Sequence, residues 1–190
     1  MRVPLKLKFY YLLSRLIQKN KTPNFSMDSP GEIRDGEEFA LETLKTYLLE
    51  NNINADDLSI KQFPSGYSNL TYFLKSSSEE FVLRRPPFGA KSLQGGHDMF
   101  REYNVLKNLK SQFLKVPDVY LYCDNSEIIG APFYLMERVK GYIIRPNLQQ
   151  KDSPGKEVIQ NVSKSLVSTL VELHNVCLLY TSPSPRDRPL

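Results

Sequence analysis

Leu58–Arg85 reads LSIKQFPSGYSNLTYFLKSSSEEFVLRR, and its punctuation decides the fold. Three runs rich in aromatic and branched residues, Leu58 to Phe63, Asn69 to Lys75 and Phe81 to Arg85, are separated by Pro64-Ser65-Gly66 and by Ser76-Ser77-Ser78. Short runs of that composition, broken by turn-forming residues, predict three antiparallel strands joined by tight turns.

Outward from this core, Glu37 to Asn52 brings Phe39, Leu41, Leu44, Tyr47 and Leu48 round at helical spacing and stops at the polar Asn51-Asn52 pair, which predicts an amphipathic helix. On the other side, Pro86-Pro87-Phe88-Gly89 breaks the pattern, and residues 98 to 112 then place Met99, Tyr103, Leu106 and Leu109 on one helical face. Val119 to Tyr122 and Pro132 to Val139 read as two more strands, with Ser126 to Gly130 turning between them. Glu157 to Asn175, carrying Val158, Val162, Leu166, Leu170 and Leu173, reads as a long helix behind Pro154-Gly155. The order is helix, three strands, helix, two strands, helix, an α+β arrangement.

The chain has 190 residues, 41% of them apolar, with 11 Tyr and 10 Phe, enough for one packed core. A net charge of +4 invites a nucleic-acid partner. The charge lies in the wrong place for one. Arg2, Lys6, Lys8, Arg15, Lys19 and Lys21 fall in residues 1–27 with no acid among them, while residues 28–176 are mildly acidic and carry no basic stripe. Cys123 and Cys177, with only His97 and His174 beside them, form neither a disulfide framework nor a metal site. A reducing, cytoplasmic compartment is the default. The leader places Leu5, Phe9, Leu12 and Leu16 at helical spacing among basic residues, so a mitochondrial presequence, a surface amphipathic helix and translated sequence upstream of a start at Met27 all remain open. No apolar run reaches the 18 residues of a membrane span.

Phosphoryl transfer asks a protein to cover nucleotide phosphates with backbone, hold them with a cation, orient that cation with an acid, and present Mg²⁺ and a base. Between the first two strands, Ser65-Gly66-Tyr67-Ser68-Asn69 could turn N–H and hydroxyl donors toward phosphate, although one glycine taken alone reads first as an ordinary hairpin turn. Phe81-Val82-Leu83-Arg84 follows the kinase V-A-I-K pattern with Arg in place of Lys, but taken alone Arg84 is a solvent-facing strand end. Glu102 stands in the first turns of the next helix, within reach of Arg84 if helix and sheet pack. Met136, Glu137, Arg138 and Val139 end a strand and run into Gly141, as would a hinge offering backbone groups to adenine or any strand leaving a sheet.

Together these segments, with REYNVLKNL, VPDVYLYCDNSEIIGAPFYLMERVKG and LVELHNV, strongly resemble the aminoglycoside phosphotransferase family, in particular the kinase-like N-terminal domains of acyl-CoA dehydrogenase family members ten and eleven. The resemblance spans about residues 37 to 176. It implies a protein-kinase-like N-lobe, a five-stranded antiparallel sheet with a packed helix, over 36–141, and the first helix of a truncated C-lobe over 142–176. Residues 1–35 are left as a basic leader. It implies ATP as ligand, with Ser65 to Asn69 as nucleotide loop, Arg84 as phosphate-binding cation, Glu102 as helix acid and Met136 to Val139 as hinge. It also implies a hydroxyl on a small molecule as acceptor, hydroxyacyl-CoA by the dehydrogenase-fused relatives, or an aminoglycoside, choline or homoserine by the wider family.

The family's His-Gly-Asp base and Mg²⁺ ligands lie after the helix that ends near His174, and no His-Gly-Asp occurs in this sequence. No catalytic residue and no metal ligand is therefore expected in these 190 residues; His174 matches a structural Leu-His pair. The resemblance thus implies an N-terminal fragment of a kinase, itself catalytically incomplete, with a non-catalytic pseudokinase or nucleotide-binding module as the alternative. Cys177 to Asp187, CLLYTSPSPRD, resembles a translated sequencing adapter, which would make 177–190 a non-native tail; otherwise it is a Pro-Ser-rich disordered end.

Overall fold

In the computed structural model, residues 29–64, 69–89, 97–141 and 155–176 are described. The leader, Ser65 to Ser68 of the expected nucleotide loop, and the stretch from Cys177 onward lie outside them. The described residues divide into two compact units, one of residues from 29–140 with 167–176 and one of residues from 141–166.

The first unit is built on one sheet. Helix α1 (Leu41–Glu50) precedes strands β1 (Ser59–Gln62), β2 (Leu70–Lys75) and β3 (Glu80–Arg85). Helix α2 (Met99–Lys110) follows, then β4 (Val119–Cys123), the single-turn α3 (Ser126–Ile129) and β5 (Phe133–Glu137). All pairings are antiparallel and the spatial order is β1-β2-β3-β5-β4. The five-stranded antiparallel sheet with packed helices is the α+β architecture expected from the sequence.

Side chains alternate across a sheet, so each strand serves two faces. One face is mostly apolar, with Gln62 and Arg85 buried at its edge. Leu70, Tyr72, Leu74, Phe81, Leu83, Phe133 and Leu135 form a single buried cluster with Leu44 and Leu48 of α1 and Ile129 of α3. Edge-on ring contacts, Phe39 just ahead of α1 to Tyr72 at 5.1 Å and Tyr47 of α1 to Phe133 at 6.0 Å, hold the helix and its approach on that face. The opposite face carries α2, whose Phe100 and Tyr103 rings lie 5.1 and 5.7 Å from Tyr122 of β4.

Two elements differ from the sequence expectation in detail. Helix α1 begins four residues later than Glu37, because residues 34–37 form a turn held by tertiary bonds. The Glu37 N–H donates to Arg34 O at 3.0 Å, its carboxylate takes Arg34 Nε at 2.8 Å and also the Gln62 amide, and Tyr72 OH donates to its carbonyl. The end at Asn51-Asn52 stands as expected: Asn51 Nδ2 donates to Tyr47 O at 2.8 Å, and Asn52 takes φ 59°. The Ser126–Gly130 turn is one turn of helix, capped by the Asn125 side chain on Glu127 N and stopped by Gly130 at φ 80°.

Helix α4 (Lys156–His174) starts in one unit and ends in the other. None of its side chains is buried, and Ile159, Val162, Leu166 and Leu170 are each more than 40% exposed. In the sheet unit Lys115 Nζ meets Glu172 Oε2 of this helix at 2.6 Å. No helix among the described residues is long and apolar enough to cross a membrane.

Candidate functional site

Strand register sorts the α2 face of the sheet into rows. Thr71, Arg84 and Tyr134 are opposite one another, as are Phe73, Val82 and Met136, and Lys75 pairs with Glu80. Strand rise puts successive rows about 7 Å apart. From one end to the other, the face therefore reads cation, then apolar floor, then charged rim.

In the first row, the expected pair exists. Arg84 Nη1 lies 3.4 Å from Glu102 Oε2, with both side chains about a third exposed. Helix α2 delivers Glu102 because Asp98 caps its first turn, Oδ1 accepting Arg101 N at 2.9 Å, and because Lys110 ties its last turn to Asp118 at 2.8 Å. Glu102 has two stronger partners than Arg84. Asn69 Nδ2 donates to Oε1 at 2.8 Å and Tyr134 OH donates to Oε2 at 2.9 Å. Asn69 and Tyr134 are both buried. Burial raises the Tyr134 pKa, Arg84 opposing, so the hydroxyl keeps its proton at neutral pH and acts as a donor.

Behind Asn69 stands His97, Nδ1 to Oδ1 at 2.7 Å. Since Asn69 turns its NH₂ to the carboxylate, its oxygen faces His97, and the network assigns the imidazole proton to Nδ1. Meanwhile Arg84 Nε, buried, has no hydrogen-bond partner among the described residues. The part of Arg84 that an anion can reach is the exposed third of its side chain, not this buried nitrogen.

The second row, Phe73–Val82–Met136, is apolar and lies between the Arg84 row and the charged rim, with Phe73 and Val82 buried. Of the expected hinge, Glu137 is committed to structure: its N–H donates to Asp118 O at 2.8 Å and its Oε2 accepts Asp118 N at 3.1 Å. Arg138 lies over the Phe73 ring at 4.1 Å and reaches Glu80 at 3.4 Å, where Lys140 also binds at 2.7 Å. Val139 is exposed, and its main chain makes no hydrogen bond among the described residues. A polar concavity of about 340 Å³ opens at the charged rim, between Ser76–Ser78 and Lys140, at the opposite end of the sheet face from Arg84.

The structure thus brings Asn69, Arg84 and Glu102 into contact and sets Met136 on the same face, with Arg138 crossing it. Sequence reasoning missed Tyr134, His97 and Phe73. A signal for Tyr134 existed: it precedes Met136 by two residues in a strand, so it must share that face. Among the described residues no three of His, Cys, Asp and Glu gather to hold a metal.

The model of the phosphotransferase enzyme family matches residues 59–190. Acyl-CoA dehydrogenase family member 11 of Rattus norvegicus is 37% identical over 150 residues, 76% of this chain and 19% of the relative. Acyl-CoA dehydrogenase family member 10 of Mus musculus is 35% identical over 126 residues, 66% of this chain and 11% of the relative. The chain thus spans a fifth or less of the length of these relatives. A crystal structure from Ralstonia eutropha, assigned as an aminoglycoside phosphotransferase, aligns at 30% identity over 59% of this chain and 32% of its own, with a TM-score of 0.48, a likeness too partial to carry an argument. The family match over most of the chain stands without it, together with the ion pair between β3 and α2: the chain belongs to the phosphotransferase enzyme family.

Proposed function

We propose that the chain is the nucleotide-binding part of an ATP-dependent kinase that phosphorylates a hydroxyl on a small molecule. The observation that carries this reading is the first row of the sheet face, where Arg84, set beside Glu102, keeps about a third of its side chain exposed at the end of an apolar row. A nucleotide has the matching layout, an anionic end and a flat aromatic end joined over a distance of this order. In this reading Arg84 grips the phosphates and Glu102 holds Arg84. The Phe73–Val82–Met136 floor takes one side of the base, and the Val139 main chain meets its edge. Ser65 to Asn69 cover the phosphates.

Bound ATP supplies the phosphoryl group. Arg84 neutralises charge on it, but charge neutralisation alone does not activate an acceptor hydroxyl. In this reading the base and Mg²⁺ ligands are supplied by a part of the relatives' length that this chain does not span. The 190-residue chain is accordingly expected to bind ATP weakly and to transfer nothing.

Calorimetric titration tests this. ATP should bind more tightly than adenosine, and Arg84→Met should remove that preference, a loss of roughly 10- to 100-fold for one charge-assisted contact. Equal affinity of the wild type for ATP and adenosine would show that Arg84 does not hold phosphate. Phosphotransfer by the purified chain would refute the division of labour.

A further inference from the structure

Glu102 is satisfied twice before Arg84 is considered. Asn69 Nδ2 and Tyr134 OH reach it at 2.8 and 2.9 Å, one on each oxygen, whereas Arg84 stands off at 3.4 Å. Both neutral donors are buried, and Asn69 is itself held by His97. Short bonds from buried, rotamer-locked donors define position far better than a partly exposed ion pair. The three donors also come from three places, since Asn69 opens β2, Tyr134 is in β5 and His97 precedes α2.

We infer that Asn69 and Tyr134 are positioning residues: they, not Arg84, dock Glu102 and with it helix α2, which leaves Arg84 with donor capacity for an anionic phosphate group. This rests on the nucleotide reading above for its ligand, but its claim about docking does not. An acid held only by the cation would draw the guanidinium into a two-point pair and compete with phosphate. Held by neutral donors, it orients the cation without using it up.

Two measurements on the 190-residue chain test this. Without ligand, Tyr134→Phe and Asn69→Leu should each lower the melting temperature by several degrees, while Arg84→Met should leave it unchanged or raise it. The reverse order, with Arg84→Met the more damaging, would overturn the inference whatever the ligand. With ligand, Tyr134→Phe should weaken ATP about fivefold or more and leave adenosine unaffected, because Glu102 then closes on Arg84; Asn69→Leu should do the same. An ATP-to-adenosine ratio unchanged in both variants, in a wild type that prefers ATP, would reduce both residues to packing. A wild type without that preference, but with the expected order of melting temperatures, would sink the nucleotide reading and leave the docking claim intact.

Discussion

Arg84 and Arg85 are neighbours with the same side chain, and strand alternation sends them to opposite faces. Arg84 stands beside Glu102, a third exposed. Arg85 is fully buried on the core side, donating to Ile129 O at 2.8 Å and Pro86 O at 3.1 Å beneath the Phe88 ring at 3.8 Å. No carboxylate pairs with it among the described hydrogen bonds and ion pairs; burial lowers its pKa, with Tyr72 and Glu37 opposing. Arg85→Leu would strand two carbonyls while removing a desolvated charge, and a net loss of about 2 kcal/mol is expected by urea denaturation. The rim behaves differently. The Lys140 ammonium bonded to Glu80 holds that carboxyl below its usual 4.5, burial opposing and Arg138 adding to the effect. A lowered folded pKa stabilises above the unfolded value and ceases to do so as pH falls through the folded one. The melting temperatures of wild type and Glu80→Gln should therefore differ at pH 7 and converge as pH falls below the usual 4.5 and through the lowered folded value. A difference that persists undiminished at pH 3 would contradict the assignment.

At the scale of elements, the three strands of Leu58–Arg85 were legible because β-branched and aromatic runs alternate with Pro, Gly and Ser, and local chemistry alone sets both. Three features were not legible. The insertion of β5 between β3 and β4 depends on long-range pairing that no local period encodes. The late start of α1 depends on Gln62 and Tyr72 claiming Glu37, residues distant in sequence. The Asn69–Glu102–Tyr134 network joins three elements through polar atoms, whereas hydrophobic periodicity reports only on apolar faces. The Arg84–Glu102 pair was expected from family resemblance and order, and the structure forms it. The link between β4 and β5 offers a sharp test. Gly130 has φ 80°, and a Cβ there would meet Phe88 Cε1 at 2.9 Å, a ring already stacked on Arg85. Gly130→Ala should cost about 1–2 kcal/mol from the left-handed backbone alone, and more from displacing that ring. Asp98→Ala, which removes the α2 cap, should cost about 1 kcal/mol. Equilibrium unfolding checks both.

At the scale of the molecule, the sheet unit divides its labour by face. The α1 side is an apolar core, where Leu83→Ala should cost about 2–5 kcal/mol and leave ligand preference alone. The α2 side carries the polar network and the Phe73–Val82–Met136 row, part of it covered by Arg138. The second unit contributes the first part of α4, whose apolar residues are exposed, and the relatives extend well beyond the span of this chain. The central claim, that a nucleotide lies along the α2 side with its phosphates at Arg84, is tested most directly by following backbone amide shifts of the 190-residue chain while ATP is added. Shifts concentrated at Asn69, Phe73, Val82, Arg84 and Met136, with Arg84 responding to ATP and not to adenosine, are the expected result. Shifts confined to the α1 side, around Leu44, Leu83 and Phe133, or no shifts at all at millimolar ATP, would contradict it.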